Sequence, residues 1–354
     1  MKIAILAHNK FPICEPYAGG LEMITHLLVK NLSSRGHTVH LYALEGSDSS
    51  LHVVPFESIR CENPEITEES ENSHMYSKAI RQIENGNYDL VHNHSMNDLP
   101  IMWAANTPLK IITSFHTPVF ESIHKGLENC TFTPNQTFTT VSKSLGKLYA
   151  EHLTNYEVVY NGIDVSKWRF SITPIKNQVC WLGRICKEKA PDSAIRMALK
   201  AGKNIVLAGP ESDPEYFKTH VEEFLGHPQV TYLGHLNHSE INKIIRESEA
   251  TLFTSTWKEP YGLVIAESLA CGTPVISWDI GAASEILTFK TGFLIPAFDE
   301  DIFIESISNI GSLSRRDCRK RAESFCDVSK MVNRYEALYK KLATANRFSK
   351  KIAV

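Results

Sequence analysis

The sequence has no pair of cysteines spaced for a metal site or a redox motif. Its eight cysteines stand singly, at positions 14, 61, 130, 180, 186, 271, 318 and 326. Without a C-x-x-C motif, neither a zinc site nor a disulfide framework is expected. We therefore expect free thiols and a cytoplasmic location.

Long apolar runs are also missing. The first residues, MKIAILAHNK, contain one short apolar run that stops at His8, too brief for a secretory signal peptide. No run approaches the roughly 20 apolar residues of a membrane span. The formal net charge is only -3, with 37 basic and 40 acidic residues. No overall field attracts nucleic acid, and we expect no nucleic-acid partner.

Strand-like apolar runs recur along the first half of the chain. They are KIAILA, HTVHLYAL, YDLVHNH, LKIITSFH, TFTTVS and YEVVYNG, with a helix-length segment at 21–35 after the first run. The polar, acidic segment 47–77 is interpreted as a surface excursion around one short strand, LHVVPF. This opening is typical of βαβ units with right-handed crossovers.

The second half alternates more regularly between the two element types. The runs QVCWLGR, NIVLAGP, VTYLGHL, ATLFTST and PVISW are separated by helix-length segments near 190–202, 214–226, 238–248 and 262–271. This rhythm predicts a doubly wound parallel sheet. We predict an α/β protein of two Rossmann-like domains, 1–165 and 166–335, whose sheets face across a cleft. The helix and tail at 336–354 are expected to pack back on the first domain.

Two basic residues follow the first strand of the second domain. Arg184 and Lys189 lie in GRICKEKAPD, directly before a helix with Pro191 in its first turn. Cations beside free N–H groups and a helix dipole suit a diphosphate. The alternative is a pair of solvated basic residues.

The stretch KEPYGLVIAE places one carboxylate on each side of a predicted helix start. Glu259 precedes the helix, Gly262 and Leu263 begin it, and Glu267 lies inside its apolar run. Amides of Gly262 and Leu263 would meet phosphate oxygens, and a carboxylate on either side suits the hydroxyl pairs at the two ends of a nucleotide sugar. An unpaired charge at Glu267 would be costly, so an ordinary surface glutamate is the weaker interpretation.

These motifs resemble the retaining glycosyltransferases of family 4, which have the GT-B fold. The resemblance rests on KEPYGLVIAE with SLACGTPVISWDIGAASEIL and TGFLI, and extends through AGGLEMITHLLVKNLSSRGHTVHLYA, YDLVHNHS, TTVSKSL, VVYNGID and WLGRICKEKAPD. It implies that residues 166–335 bind the nucleotide-sugar donor and that residues 1–165 lie on the acceptor side.

The resemblance also implies roles for single residues. In order along the donor, Glu259 contacts the sugar, Arg184 and Lys189 bind the diphosphate, and Glu267 contacts the ribose. The amides of Gly262 and Leu263 touch phosphate, as does the loop of Gly19 and Gly20, where a side chain would hold backbone amides away from an anion. His116, after the strand in SFHTP, is expected near the transferred sugar in a catalytic role, with a satisfied strand-end histidine as the alternative.

No metal site is expected. His92 and His94 have H-x-H spacing but no evident third ligand, and are interpreted as strand-end residues lining the acceptor side. The triplet Asp299 to Asp301 precedes a helix-length segment, so Asp299 is interpreted as a helix cap. Arg184, Lys189 and helix dipoles would stabilise the leaving diphosphate, and no cofactor is needed.

The expected reaction moves a hexosyl group from a nucleoside-diphosphate sugar to an acceptor hydroxyl with retention of configuration. UDP is the expected nucleotide, with GDP and ADP as alternatives, and the acceptor is a saccharide, a lipid or a small molecule. The alternatives are an epimerase of the same fold and an inactive sugar-nucleotide-binding subunit. A dinucleotide oxidoreductase is disfavoured because no G-x-G-x-x-G follows either first strand.

Two features qualify this interpretation. Ala190, and the pair Ala282 and Ala283, stand where the family often has glycine, which bears on donor preference more than on catalysis. The basic run at residues 315–321 and the tail NRFSKKIAV would suit an anionic membrane surface, but solvated helix faces are the favoured explanation.

Overall fold

The computed structural model describes residues 1–59 and 65–349. The chain forms two compact units. Unit 1 contains Met1–Tyr160 and the chain from Met331 onward, and unit 2 contains Asn161–Lys330. Each unit is built on its own parallel sheet. The prediction of an α/β chain with two Rossmann-like halves is confirmed.

The sheet of unit 1 has seven strands in the order β3-β2-β1-β4-β5-β6-β7. All neighbouring strands run parallel. Every residue of the strands β4 and β5 is buried, as expected for a parallel sheet covered on both faces. The strands are β1 Lys2–Leu6, β2 Thr38–Ala43, β3 Val53–Pro55, β4 Leu90–Asn93, β5 Ile111–Phe115, β6 Gln136–Thr140 and β7 Glu157–Val158.

In the described part of the chain, five helices connect these strands. They are α1 Gly20–Ser34, α2 Glu68–Glu84, α3 Asp98–Ala104, α4 Glu121–Glu128 and α5 Lys143–Tyr149. Helix α1 turns an apolar face containing Ile24, Leu28 and Leu32 into the core, and all three side chains are fully buried. Their spacing of four residues is the reason that the sequence predicts this helix well.

Helix α2 corrects the interpretation of 47–77 as a surface excursion around one strand. The short strand exists as β3, but the chain then enters a helix at Glu68, capped by the Thr67 side chain, which accepts from the Ser70 N–H. The buried residues Met75 and Tyr76 continue into Ala79 and Ile83 at helical spacing. The apolar period straddles residue 77, so a window that stops there misses it.

The sheet of unit 2 has six strands in the order β10-β9-β8-β11-β12-β13. All neighbours again run parallel. The strands are β8 Gln178–Leu182, β9 Asn204–Ala208, β10 Val230–Tyr232, β11 Ala250–Phe253, β12 Val275–Trp278 and β13 Gly292–Ile295. Strand β8 lies between β9 and β11, so the order in which the strands are added changes side at β8. Ligands of such parallel sheets bind at this switch point.

The helices of unit 2 lie between its strands and after the last of them. They are α6 Pro191–Lys200, α7 Pro214–His220, α8 His238–Glu247, α9 Leu263–Ala270, α10 Ala283–Ile286, α11 Glu300–Ser308 and α12 Arg315–Arg321. Asp299 accepts a hydrogen bond from the N–H of Ile302, at 3.1 Å, and starts α11. Its interpretation as a helix cap is confirmed.

The last helix, α13 Val328–Ser349, packs on unit 1 from Met331 onward. Tyr335 and Tyr339 are fully buried there. Glu336 accepts from Nη1 of Arg35 at 2.7 Å and lies 2.9 Å from Nε2 of His37. The side chains of the tail NRFSKKIAV, to which the membrane-surface alternative refers, lie outside the described part of the chain. None of the helices that the structure describes is long and apolar enough to cross a bilayer.

The basic run of α12 differs from the expected solvated face. Arg315 is 8% exposed, and its guanidinium donates to the carbonyl oxygens of Ser171, Ser248 and Arg246 at 2.7–2.8 Å. Arg319 and Arg321 likewise donate to backbone carbonyl oxygens. These three arginines hold loops of unit 2 together, because a guanidinium presents several donors in fixed directions.

We predict that Arg315→Met destabilises the protein by about 3 kcal/mol, because three carbonyl oxygens lose a charged donor inside the core. The adjacent Arg316 is exposed, and Arg316→Met should change stability by less than about 0.5 kcal/mol. Urea unfolding of the two variants measures both values. Equal stabilities would contradict the structural role of Arg315.

Candidate functional site

The candidate residues of unit 2 meet at the carboxyl edge of its sheet. Arg184 and Lys189 follow β8, and Glu259 and Gly262 follow β11. Strands β8 and β11 are parallel neighbours, so the loops after them emerge side by side. The helix α9 begins in the second of these loops and carries Glu267 in its second turn.

Lys189 and Glu259 form an ion pair across the two loops. Glu259 is 8% exposed, and its Oε1 also accepts from Oγ of Ser255 at 3.0 Å. Nζ of Lys189 lies 5.5 Å from the ring centroid of Trp257. The pair therefore places one cation and one acidic group at a partly buried position, with an aromatic face beside them.

Backbone contacts hold the two loops together. The carbonyl oxygen of Glu188 accepts from the N–H of Thr256 at 2.8 Å and from the Ser255 hydroxyl at 3.2 Å. Oγ1 of Thr254 donates to the carbonyl oxygens of Lys189 and Ala190, and accepts from Nε1 of Trp181 at 3.0 Å. These contacts fix the backbone that carries Lys189. The short polar residues after β11 were the available signal, and the sequence interpretation missed them.

Arg184 is more exposed than the Lys189–Glu259 pair. Its side chain is 53% exposed, and its Nη2 lies 3.3 Å from Oε1 of Glu188 in an exposed ion pair. Exposed pairs of this kind contribute little stability. The guanidinium can therefore exchange Glu188 for an anionic ligand at small cost.

Ala190 adopts the left-handed conformation, with φ 46°, at the start of α6. This is the position where the family resemblance leads one to expect glycine. An L-residue in this region costs roughly 1–2 kcal/mol relative to the right-handed one. The backbone geometry is thus of the kind glycine would give, although the residue is alanine.

Gly262, the residue directly before α9, has φ 93°, which is again a left-handed backbone conformation. No side chain caps this end of the helix. A helix start without a capping side chain leaves N–H groups with partial positive charge available to an anion. Leu263 is the first helical residue. Both amides that the sequence predicts for phosphate binding lie at this end.

Gly281 supports Glu259 from the loop after β12. A Cβ at Gly281 would lie 2.5 Å from the backbone N and 2.7 Å from the carbonyl O of Glu259. The next residue, Ala282, donates its N–H to that same carbonyl at 3.1 Å. Only glycine allows this approach, so Gly281 belongs to the structural support of the site.

Glu267 is partly buried in α9, and burial raises its pKa to about 7. A carboxyl group with this pKa carries a proton for part of the time near neutral pH. It can donate as well as accept a hydrogen bond, which suits a hydroxyl ligand.

In unit 1, His116 follows β5 and is 8% exposed. Neither of its ring nitrogens has a hydrogen-bond partner in the described structure. Burial, with a smaller effect of His8, lowers its pKa to about 3. His116 is therefore a neutral imidazole with both nitrogens available to a ligand.

Gly19 and Gly20 lie at the start of α1, where Gly19 is the residue before the helix and Gly20 is its first residue. The backbone of Gly19 is extended, so its conformation does not require glycine. A Cβ there would instead lie 3.1 Å from Oε2 of Glu22. Glu22 is 5% exposed and its Oε1 lies 3.0 Å from Nε2 of His8. Burial acts to raise the pKa of Glu22, but hydrogen bonds from His8 and the backbone hold it below its usual value.

The interpretation of His92 and His94 as acceptor-side lining is wrong. Both side chains are fully buried. His92 bonds to Oη of Tyr339 and Oγ of Ser114, each at 2.7 Å, and lies 3.0 Å from Nε2 of His94. Burial lowers the pKa of both histidines well below the usual value. They are neutral core groups: His92 links β4 to α13, and Nδ1 of His94 lies 3.1 Å from Oγ1 of Thr25 in α1.

Two family models match the chain. The one described as "Glycosyl transferases group 1" matches residues 164–325, and the one described as "Glycosyltransferase Family 4" matches residues 18–167. The chain belongs to the group 1, family 4 glycosyltransferases, as its motifs predict.

Two relatives of the chain are distant from it in sequence. A glycogen synthase of Mycobacterium tuberculosis is 25% identical over 162 residues, which cover 43% of this chain and 39% of that enzyme. The chain thus matches less than half the length of that relative. A D-inositol 3-phosphate glycosyltransferase of Mycobacterium marinum is 22% identical over 92% of this chain and 82% of its own length.

Solved structures show the same fold. AviGT4, a glycosyltransferase involved in avilamycin A biosynthesis, has a TM-score of 0.73 at 21% identity, over 97% of this chain and 98% of its own. HepE of Anabaena, solved with UDP-glucose, has a TM-score of 0.73 at 17% identity, over 96% and 100%. The fold is therefore GT-B.

We predict that Glu267 by itself lowers the stability of the protein as the pH rises from about 4.5 to about 7, an effect seen as the difference between the native protein and a Glu267 variant. The folded protein keeps the Glu267 proton in this range while the unfolded chain loses it, so unfolding releases a proton. At pH 8, Glu267→Gln should be more stable than the native protein by about 2 kcal/mol, a value reduced for partial exposure. At pH 4 the two should be equal.

Chemical unfolding at several pH values measures this difference. Glu305→Gln, at an exposed position of α11, is the matched control and should leave the pH profile unchanged. A native profile in the Glu267 variant would contradict the raised pKa.

Proposed function

We propose that the protein is a retaining glycosyltransferase that moves a hexosyl group from a UDP-sugar to an acceptor hydroxyl without a metal ion. The observation that carries the proposal is the Lys189–Glu259 pair beside the uncapped start of α9. One cation, one carboxylate and free amides at one sheet edge suit a diphosphate with a sugar attached.

The diphosphate would take the positive groups. Arg184 and Lys189 supply charged donors, and the amides of Gly262 and Leu263 supply the partial charge of a helix start. Lys189 already has Glu259 as a partner. A phosphate oxygen would share the ammonium group, which has three donors, without leaving the carboxylate unpaired.

The carboxyl groups would take the hydroxyls at the two ends of the donor. Glu259 would accept from the transferred sugar, close to the diphosphate because its partner Lys189 binds there. Glu267, inside α9, would bond to the ribose, where its raised pKa allows both donation and acceptance. Hydroxyl groups bound in this way help to orient the donor for transfer.

Residues of unit 1 would supply further contacts to the donor. His116 would bond to the transferred sugar as a neutral imidazole, because both its nitrogens lack a partner in the described structure. Gly19 and Gly20 would bring backbone amides to the diphosphate. The nearby Glu22 already accepts from the Gly19 backbone, so Gly20 is the freer of the two donors.

The uridine nucleotide is supported by a structural neighbour, since HepE was solved with UDP and with UDP-glucose. The relative from Mycobacterium marinum is named as a glycosyltransferase. The free thiols of the described cysteines suit the reducing cytoplasm.

The reaction would pass through an oxocarbenium-like transition state. The bond from the anomeric carbon to the β-phosphate oxygen breaks while the acceptor oxygen attacks from the same face, and the acceptor proton moves to the departing diphosphate. Negative charge grows on the β-phosphate, where preorganised cations and amides stabilise it. This charge stabilisation is the role that a divalent metal would otherwise have.

We predict that Arg184→Ala and Lys189→Ala each lower turnover roughly 10²-fold, because each removes a donor to the leaving group. Lys187→Ala, at an exposed position of the same turn, is the matched control and should keep native turnover. Release of UDP from UDP-glucose, with a panel of saccharide, lipid and small-molecule acceptors, measures the rates.

Thermal unfolding accompanies these assays, since Lys189→Ala leaves the buried Glu259 carboxylate without its cation. Arg184 is exposed, so its variant should unfold like the native protein. Near-native turnover in both variants would refute the diphosphate site.

We also predict that transfer continues at the same rate in excess EDTA and does not rise when Mg²⁺ or Mn²⁺ is added. The physical reason is that the positive charge needed by the leaving group comes from side chains and amides. The same UDP-glucose assay with and without chelator tests it. Activity that EDTA abolishes and Mg²⁺ restores would overturn metal independence.

A further inference from the structure

A second positively charged site lies on unit 2, apart from the candidate donor site. A cavity of about 280 Å³ opens between helix α8 and the segment that follows the 3₁₀ turn at residues 165–167. Its basic lining residues, which we call the cationic pocket, are Lys167, Arg169, His238, Lys243 and Arg246. None of them belongs to the loops after β8, β11 or β12. We propose that the cationic pocket binds a phosphomonoester dianion.

The charge in this cavity is far from the balance of the whole chain. The chain has slightly more acidic than basic residues, 40 against 37. The cavity is lined by four lysines and arginines and a histidine but by one carboxylate, that of Glu240. Oε2 of Glu240 is already used, because it accepts from the N–H of Asn237 at 3.0 Å in the capping box of α8. With four lysines and arginines against this one carboxylate, the lining carries a net positive charge.

Two of the basic side chains have no partner among the residues that the structure describes. Arg169 and Lys243 make no hydrogen bond or ion pair with any residue in the described part of the chain. Nε of Arg246 is buried and also lacks a hydrogen-bond partner there. Nη2 of Arg246 does lie 3.8 Å from Oε1 of Glu247. By contrast, Arg315 and Arg319 of the same unit donate to backbone carbonyl oxygens. The chain thus uses arginine structurally elsewhere, whereas Arg169 and Lys243 have no partner among the described residues.

The walls of the pocket are fixed by contacts of their own. Helix α8 starts with a complete capping box, and its residues Ile244 and Ile245 are buried. On the other wall, Trp168 is 4% exposed, and the centroid of its ring lies 4.3 Å from the centroid of the His238 ring. The carbonyl oxygen of Trp168 accepts from Arg319 at 2.8 Å. The backbone that carries Arg169 is therefore held in place before any ligand arrives.

A phosphate group that carries two negative charges suits this arrangement best. Guanidinium and ammonium groups on two walls can bond to several of its oxygens at once, which a carboxylate with two oxygens cannot match. The volume lies near the lower end of small-ligand sites, with room for the phosphate and part of an attached group. The ester could be a free phosphorylated metabolite or the headgroup of a lipid.

The test uses inorganic phosphate as the probe, at pH 8 and constant ionic strength, with isothermal titration calorimetry. All proteins carry Lys189→Ala, so that the candidate donor site contributes little phosphate binding. The pocket variant adds Arg169→Ala and Lys243→Ala, and the matched control adds Lys218→Ala and Lys290→Ala at exposed positions of the same unit. Each readout is binding, so the result does not depend on transfer activity.

Phosphate should bind the control saturably. It should bind the pocket variant at least about tenfold more weakly, because that variant has lost two charged donors. Circular dichroism should show both variants folded. Equal affinity in the two variants, or the absence of saturable binding in the control, would overturn the proposal.

Vesicles distinguish the two sources of phosphate. Sedimentation with phosphatidylcholine vesicles that contain phosphatidic acid, lost in the pocket variant, would identify a lipid headgroup. Saturable phosphate binding without sedimentation would identify a free phosphomonoester. Either result supports the pocket. If the vesicles sediment the pocket variant and the control to the same measurable extent, that would argue against it.

Discussion

The ion pair between Lys189 and Glu259 is the interaction on which the candidate site depends. It joins loops that follow two neighbouring strands, and it supplies a cation to a carboxylate that is almost fully buried. A buried carboxylate left alone would cost several kcal/mol. The surrounding contacts keep this pair in one geometry: the Ser255 hydroxyl fixes the carboxylate, and Gly281 lets a third loop press on its backbone. Sugar and phosphate groups would then bind to charges that already have fixed positions.

Hydrophobic periodicity and the positions of strand ends predicted most of the fold and the grouping of the donor-site residues. Buried parallel strands are continuous apolar runs, and the residues after them gather at one edge, which is why Lys189 and Glu259 could be assigned to the same site without a structure. The ion pair between them was not predicted. Contacts between distant segments were out of reach. The packing of Gly281 on Glu259 depends on the register of three strands, and the burial of His92 depends on α13, which lies over two hundred positions further on. Polarity suggested an exposed histidine, whereas hydrogen bonding allowed a buried one.

Backbone geometry explains how the loop accommodates alanine at a position where the family resemblance leads one to expect glycine. Ala190 occupies a left-handed conformation that glycine would adopt without strain, and buried contacts from Thr254 to the carbonyl oxygens on either side of it hold it there. The strain of one residue, of order 1–2 kcal/mol, is offset by such contacts. A loop shaped by several hydrogen bonds tolerates the loss of its glycine, so the departure at this position is compatible with the same local geometry.

Buried polar atoms without partners mark where a ligand would stabilise the protein. Leaving such an atom unsatisfied costs about 1–3 kcal/mol. Among those in the described structure are the ring nitrogens of His116, Nε1 of Trp257 beside Lys189, and Nε of Arg246 in the cationic pocket. A fold selected only for stability would remove these atoms or pair them, as it does for Arg315 and His92. A ligand that reaches the proposed donor site or the cationic pocket would supply a hydrogen bond that these atoms lack in the described structure.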